Sequence, residues 1–157
     1  MWSFWRERKR KAQIRTAFAD FVSEEGLKEI ENASGELPRL RKESIRYVIL
    51  QVRDDTPETV QHHLAQVLAK INDGIIEDIM SSIVTVIFTP ALSPDRLSMD
   101  ALLDKLGSDV RAVYGAGDYL RGTIGSNRSF RYGTIFPDIS SKLEILFQLE
   151  FGTSREV

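Results

Sequence analysis

Cysteine is absent from the 157-residue chain, which excludes both a disulfide framework and a thiolate metal site. Long apolar runs are also absent. None approaches the roughly 20 residues that cross a bilayer, and no signal-peptide-like apolar stretch follows the basic start. The formal net charge is only −2, so no overall positive charge favours nucleic acid as a partner. These absences predict a cytoplasmic globular protein that does not bind nucleic acid.

The amino terminus concentrates aromatic and basic side chains. Trp2 and Trp5 precede a basic cluster at residues 6–11, which reads Arg-Glu-Arg-Lys-Arg-Lys. Tryptophan next to lysine and arginine is typical of segments that contact a membrane surface. The simpler interpretation, a solvated helix start, is preferred. A peripheral location at the inner face of the membrane, through Trp2, Trp5 and the basic cluster, is the alternative that stays open.

Apolar periodicity divides the chain into two parts. Residues 1–44 are predicted to form an N-terminal helical segment and a connector, in which Gly35 and Pro38 interrupt the pattern. Residues 45–157 are predicted to form one domain with strands near 47–52, 83–88, 110–114, 119–124 and 130–135, and helices near 56–71, 93–107 and 138–151. This content favours an α+β fold, with an antiparallel-rich sheet and helices packed mainly on one face.

Three stretches carry a more specific pattern. They are, in order, Phe18-Ala-Asp-Phe-Val-Ser with Gly35-Glu36-Leu37, then the strand Ile83 to Phe88, then Gly117-Asp-Tyr-Leu-Arg-Gly122-Thr-Ile124-Gly125-Ser126 with Arg131-Tyr132-Gly-Thr-Ile135. Together they resemble the class III adenylyl and guanylyl cyclase catalytic domain, over roughly residues 12 to 153. The resemblance implies a ferredoxin-like nucleotidyl cyclase fold, here in a shortened form.

The resemblance also implies where metal ligands should be found. Cyclisation of a nucleoside triphosphate uses two divalent ions, and hard cations prefer anionic oxygen ligands such as aspartate. The matching positions here are Val52 and Ser82, and neither offers a carboxylate. A register slip that brings Asp54 or Asp55 to the metal position is the alternative. Otherwise these two acids are a solvated pair before a helix amino terminus, where negative charge is favourable.

Four further positions depart from the cyclase pattern. Two correspond to base-recognition residues and two to transition-state residues; they are Asp78 and Pro137, then Ser140 and Glu144. Aspartate stands where the family has lysine, and glutamate stands where it has arginine. The resemblance therefore implies a degenerate member that has no catalytic residues, no metal and no cofactor.

These changes predict a pseudoenzyme that acts in signal transduction by dimerisation or regulatory association. The resemblance implies a homodimer, or a heterodimer with an intact cyclase or another signalling protein. The implied dimer interface consists of Gly122, Thr123, Ile124, Gly125, Ser126 and Tyr132. Two other functions stay open, namely a nucleotide- or small-ligand-binding sensor and a divergent residual cyclase. Adjacent His62 and His63 lack the i, i+4 spacing of helical metal sites, which predicts surface or boundary positions.

Overall fold

The computed structural model describes residues 5–9, 39–71, 74–89, 96–125 and 130–157. Residues 5–9 are helical, as expected for the start of the N-terminal segment. The rest of the predicted helix, and the motifs at 18–23 and 35–37, lie outside the described residues. The predicted connector is wrong over residues 41–44, because the first strand already begins at Arg41. The apolar pattern does not reveal where this strand begins, because charged residues interrupt the pattern at this end.

The described residues of the domain form six strands and three helices, in addition to the helical residues 5–9. The strands are β1 (Arg41–Val52), β2 (Ile75–Met80), β3 (Ile83–Phe88), β4 (Val110–Gly125), β5 (Phe130–Ile135) and β6 (Ser154–Glu156). The helices are α1 (Pro57–Lys70), α2 (Arg96–Leu106) and α3 (Ile139–Gln148). Each predicted helix of the domain is confirmed, with ends that differ by a few residues.

The strands form one sheet in the order β2-β3-β1-β4-β5, in which all neighbours are antiparallel. β6 pairs in parallel with β4 through residues 112–114 and 154–156. The longest ladder joins β1 to β4, from the Arg41–Arg121 pair to the Val52–Val110 pair. The predicted α+β class with an antiparallel-rich sheet is confirmed.

The two faces of the sheet bury separate cores, because successive strand residues point to opposite faces. Val48 and Leu50 pack with α1 and α2 in the first core. Tyr47 and Ile49 pack with Leu146 of α3 in the second core. Two of the three domain helices therefore cover one face, and α3 covers the other.

Two strands differ from the sequence-based prediction. Residues 75–80 form β2, which the sequence did not predict. An extra residue, Glu77, forms a bulge between Ile76 and Asp78. The bulge breaks the alternation of apolar and polar residues that would have indicated a strand. Residues 110–125 form one long strand rather than two. A Cβ atom at Gly115 would lie 2.7 Å from Tyr47 Oη, so this glycine permits close packing within a continuous strand.

The amino terminus of α1 is formed as the sequence predicts. Thr56 Oγ1 accepts a hydrogen bond from Thr59 N at 3.1 Å, and Pro57 stands in the first turn. The cap fixes the short connection from β1, in which Asp54 and Asp55 are exposed.

A buried lysine attaches α3 to the second core. Lys142 Nζ donates a hydrogen bond to the Asp138 carboxylate and lies 5.2 Å from the centre of the Tyr47 ring. Burial acts to lower the pKa of Lys142, but hydrogen bonds with Asp138 and Tyr47 outweigh it, so this pKa is raised. Burial raises the pKa of Tyr47, and the hydrogen bond from Lys142 lowers the pKa of Asp138.

The protein is expected to lose stability as the pH rises above about 10, near the ordinary pKa of tyrosine and lysine. A group whose pKa is raised by folding stabilises the native state below its ordinary pKa. That contribution is lost as the pH rises through the folded-state value. Denaturant midpoints measured from about pH 8 to about pH 11 should fall less steeply for Tyr47→Phe than for the wild type. Equal slopes would show that folding does not change the Tyr47 pKa.

Candidate functional site

The end of β1 lies against the turn that joins β2 to β3. Val52 N donates a hydrogen bond to Ser82 O at 2.9 Å. Ser81 adopts a left-handed backbone with a φ of 56°, and the next residue, Ser82, is buried. The two chain positions at which the cyclase resemblance implies metal ligands are therefore neighbours in the fold.

The side chain that contacts Ser82 belongs to Gln51. Gln51 Nε2 donates a hydrogen bond to Ser82 Oγ at 3.1 Å, and both residues are buried. Val52 points to the opposite face, where it lies in the core formed with α1 and α2. The structure thus brings Gln51, rather than Val52, to the side of the sheet on which the Ser82 side chain lies. An apolar run does not fix which of its residues face which side of a sheet, and a shift of one exchanges the faces.

Arg111 pairs with Gln51 across the β1–β4 ladder. Its Nε and Nη2 atoms donate hydrogen bonds to Gln51 Oε1 at 2.9 Å and 2.6 Å. Its Nη1 atom donates to the carbonyl oxygens of Phe147 at 3.1 Å and Leu149 at 2.8 Å. These carbonyls stand at the carboxyl end of α3, where a cation is favourable because the last carbonyls lack helical partners. A single guanidinium therefore connects β1, β4 and α3.

Phe151 lies close to two guanidinium groups. Its ring centre is 4.6 Å from Arg111 Cζ and 4.7 Å from Arg53 Cζ, within the range of cation–π contacts. Arg53 Nε also pairs with Asp109 Oδ1 at 3.0 Å, and His63 Nε2 lies 3.6 Å from Asp109 Oδ2. Protein side chains thus surround the end of β1.

The groups at the end of β1 do not suit a divalent cation. Mg²⁺ and Mn²⁺ prefer carboxylate oxygens, whereas Gln51, Ser82 and Arg111 bring together an amide, a hydroxyl and a guanidinium. The positive charge of Arg111 would also repel a second cation. Among the residues that the structure describes, no group of three histidine, cysteine, aspartate or glutamate side chains could hold a metal ion.

The other metal candidates from the sequence lie outside this cluster. Asp54 and Asp55 are exposed in the connection between β1 and α1, as expected for a solvated acid pair. His62 is exposed and His63 is half-buried against Asp109. Both histidines therefore occupy surface or boundary positions, as their spacing predicts.

The four remaining sequence-predicted positions are all exposed. Asp78 lies on β2, and Pro137 lies in the turn before α3. Ser140 and Glu144 stand one turn apart on α3. They point away from the second core, which α3 contacts through Leu143 and Leu146 among others. Ser140 and Glu144 therefore share one outer face of α3.

The predicted dimer interface falls on the β4–β5 hairpin. Gly122 is buried, and a Cβ atom there would lie 2.4 Å from Arg39 O, so this glycine permits the close passage of the chain at residues 39–40. Ile124 is exposed, and Thr123 pairs with Tyr132 across the hairpin. Gly125 ends β4. Ser126 and the side chain of Tyr132 lie outside the described part of the chain.

Two exposed apolar residues of this hairpin escaped the sequence-based prediction. Leu120 pairs with Ile135 across the β4–β5 ladder, and Ile124 lies four residues along the same strand from Leu120. Their exposed fractions are 47% for Leu120, 39% for Ile135 and 38% for Ile124. Residues at even spacing on a strand share a face, so these three side chains lie on one side of the hairpin. We call these three exposed side chains the hairpin surface.

Gln51, Arg111 and Phe151 also escaped the sequence-based prediction. The available signal was a polar residue inside each of two apolar strands, namely Gln51 in β1 and Arg111 between Val110 and Ala112 in β4. Their contact joins positions 60 residues apart in the chain. Local patterns carry no information about such pairing.

The described part of the amino terminus leaves the alternative of a membrane contact open. Trp5 is 66% exposed at the start of the helical residues 5–9. Trp2 and residues 10–11 lie outside the described range. In the part of the chain that the structure covers, every helix is too short or too polar to cross a membrane.

Several solved structures with a similar fold are nucleotidyl cyclases. A guanylyl cyclase aligns with a TM-score of 0.53 and 17% identity, over 73% of this chain and 75% of that one. The adenylyl cyclase CyaB from P. aeruginosa aligns with a TM-score of 0.52 and 13% identity, over 74% and 77% of the two chains. A bacterial light-regulated adenylyl cyclase aligns with a TM-score of 0.64 and 10% identity over 92% of this chain, which spans 52% of that protein's length.

The fold is therefore that of a nucleotidyl cyclase-like domain, as the sequence motifs predict. No protein-family model matches the sequence, and no curated protein matches it significantly. At identities of 10% to 17%, the likeness establishes the shared fold, and the chemistry must be argued from the side chains of this chain.

Proposed function

We propose that this protein is a catalytically inactive cyclase-like domain that acts by associating with a second copy of itself or with another signalling protein. The observation that carries the proposal is the contact among Gln51, Ser82 and Arg111. These side chains supply an amide, a hydroxyl and a guanidinium at the end of β1, whereas a two-metal reaction needs carboxylates. A domain that keeps the cyclase fold without these ligands retains its surfaces for association.

The outer face of α3 supports the same proposal. Ser140 and Glu144 occupy the positions at which the resemblance implies an asparagine and an arginine that stabilise the transition state. A glutamate there would repel a triphosphate instead of stabilising its charge. Because both halves of the site are altered, pairing with an intact cyclase domain should lower that domain's activity rather than complete it.

The hairpin surface supports association. Leu120, Ile124 and Ile135 are exposed on one side of the β4–β5 hairpin. Exposed apolar side chains that cluster, rather than occur singly, mark surfaces that contact other proteins. A second copy of the chain bound through the same surface would form a closed two-fold dimer.

An activity assay tests the proposed function. Purified protein with ATP or GTP and Mg²⁺ or Mn²⁺ should form no cyclic nucleotide above a protein-free blank, while an active cyclase domain assayed in parallel does. The melting temperature should not change in the same mixtures, since a ligand that prefers the native state would raise it by mass action. Metal-dependent cyclic product would overturn the proposal. A nucleotide-induced rise without product would favour a ligand-binding sensor.

A further inference from the structure

We propose that the cavity between the carboxyl end of α2 and the residues that lead into β6 binds a small organic cation, namely a primary ammonium group on a short alkyl chain. The cavity is half-enclosed and measures about 250 Å³. It lies on the face of the sheet that α1 and α2 cover, since Val110 and Ala112 of the first core line it. The contact of Gln51 with Arg111 lies on the other face, beside α3. The proposed site is therefore independent of the proposed function.

Both walls of the cavity are held in place by hydrogen bonds. On one side, Gly152 N donates to Val110 O at 2.7 Å, and β6 then pairs with β4. On the other side, Lys70 Nζ donates to Lys105 O at 2.8 Å, which ties the end of α2 to α1. Because each wall is attached to its own neighbour, the space between them is preformed. Binding would not need the strands or the helix to move.

The floor of the cavity is apolar. Leu106, Val110 and Ala112 are buried members of the first core, and the half-buried Leu103 packs against them. An apolar cavity of about 150 Å³ accepts benzene, so this cavity has room for about ten non-hydrogen atoms. Water above such a floor has few hydrogen-bond partners there. An alkyl chain that displaces this water gains up to about fourfold in affinity for each buried methylene group.

The rim of the cavity favours positive charge. Among the described residues that line the cavity, Asp104 has the one ionisable side chain. Ser108 and Ser154 add hydroxyl groups that can accept hydrogen bonds. The carboxyl end of α2 forms the wall from Leu103 to Gly107, and the last carbonyls of a helix lack helical partners and attract cations. An anion would be repelled by both the carboxylate and the helix end.

The protein already holds one ammonium group at this end of α2. Lys70, which does not line the cavity, donates its hydrogen bond to the carbonyl of Lys105 in the last turn of the helix. A primary ammonium has three donors, so it can bind the Asp104 carboxylate and a hydroxyl or carbonyl oxygen together. A quaternary ammonium has no such donors. A primary amine is therefore the better fit, with its alkyl chain on the apolar floor.

Titration of the wild type with n-hexylammonium, followed by two-dimensional ¹H–¹⁵N NMR, tests the site. The backbone amide signals of residues 107–108 and 152–154 should shift and saturate, with a dissociation constant in the millimolar range that is typical of ligands of this size. n-Hexanol should bind about three- to fivefold more weakly, because it lacks the charge that an exposed carboxylate attracts. n-Hexanoate should bind more weakly still, because Asp104 repels it.

Two pairs of variants locate the ligand. Asp104→Asn should remove the preference for n-hexylammonium over n-hexanol. Glu58→Gln should keep this preference, because Glu58 is exposed at the far end of α1, about 18 Å along the helix from Lys70. Ser154→Leu should weaken the binding of both ligands at least about tenfold by filling the cavity, and Arg155→Leu should not, because successive strand residues point to opposite faces. Ser154 and Arg155 are both exposed, so neither change disturbs the core.

Three results would overturn the inference. n-Hexanoate that binds as tightly as n-hexylammonium would show that the cavity does not select a cation. Unchanged binding by Ser154→Leu, or shifts spread over the whole chain without saturation, would show that the ligand lies elsewhere. Shifts at the same amides on raising the protein concentration without amine would assign the cavity to self-association. None of these readouts involves turnover, so they are independent of whether the wild type forms cyclic product.

Discussion

Arg111→Met should lower the free energy of unfolding by about 3 kcal/mol, the largest loss expected from any single change at the site. The substitution removes charge-assisted hydrogen bonds to Gln51 and to two carbonyls at the end of α3, each worth roughly 1.5 to 3 kcal/mol when well formed. It also leaves the buried Gln51 Oε1 without this donor. The expected loss of unfolding free energy equals only one or two such bonds, because Arg111 is partly exposed and water can replace part of what it contributes.

A loss of this size should lower the melting temperature by about 6 to 12 °C in a domain of this length. Arg155→Met is the matched control, because Arg155 is exposed on β6 and the change removes the same charge. Arg111→Lys should lose an intermediate amount, since lysine keeps the charge but not the planar set of donors. A drop for Arg111→Met no larger than that of the control would contradict the assigned role of the guanidinium.

Placing charges on the hairpin surface should weaken self-association by at least about 100-fold. Each uncompensated carboxylate in an interface costs several kcal/mol. A loss of about 2.8 kcal/mol in binding free energy already raises the dissociation constant about 100-fold. The variant is Leu120→Asp/Ile124→Asp, in which both changed side chains lie on the same exposed side of β4. Sedimentation equilibrium over a range of concentrations measures the dissociation constant directly. The wild type should be a dimer under conditions in which the variant is a monomer.

The control for this experiment is Ile79→Asp/Met80→Asp at the end of β2. These residues are comparably exposed, at 37% and 53%, but they lie outside the hairpin surface. The control should therefore dimerise like the wild type. A wild-type protein that stays monomeric at high concentration would contradict association with a second copy. A variant that dimerises as tightly as the wild type would assign the interface to another surface.

Local sequence signals predicted the elements whose causes are themselves local. The run 83–88 is apolar at every position but one and forms the mostly buried strand β3. Thr56 and Pro57 mark the start of α1 because a hydroxyl cap and a proline in the first turn act within a few residues. The glycine-rich motif of the β4–β5 hairpin is also a local signal, because its residues are close together in the sequence. This motif indicated the cyclase fold.

Elements shaped by contacts distant in sequence were predicted less well. β2 was missed because its bulge at Glu77 disturbs the alternation of side chains. β4 was divided in two because Gly115 suggested a strand end, whereas the structure uses it for close packing against Tyr47. In both cases the neighbouring chain segment, rather than the segment itself, decides the conformation.

By itself, the sequence determined that residues 51, 52, 81 and 82, at the end of β1 and in the β2–β3 turn, carry no carboxylate, because residue identities do not depend on the fold. It also determined the α+β class through the periodicity of its apolar residues. Only the tertiary structure decided that Gln51 rather than Val52 faces Ser82, because strand register sets which side chains share a face. The tertiary structure likewise brought Arg111 to Gln51, because the two meet only once β1 and β4 are paired.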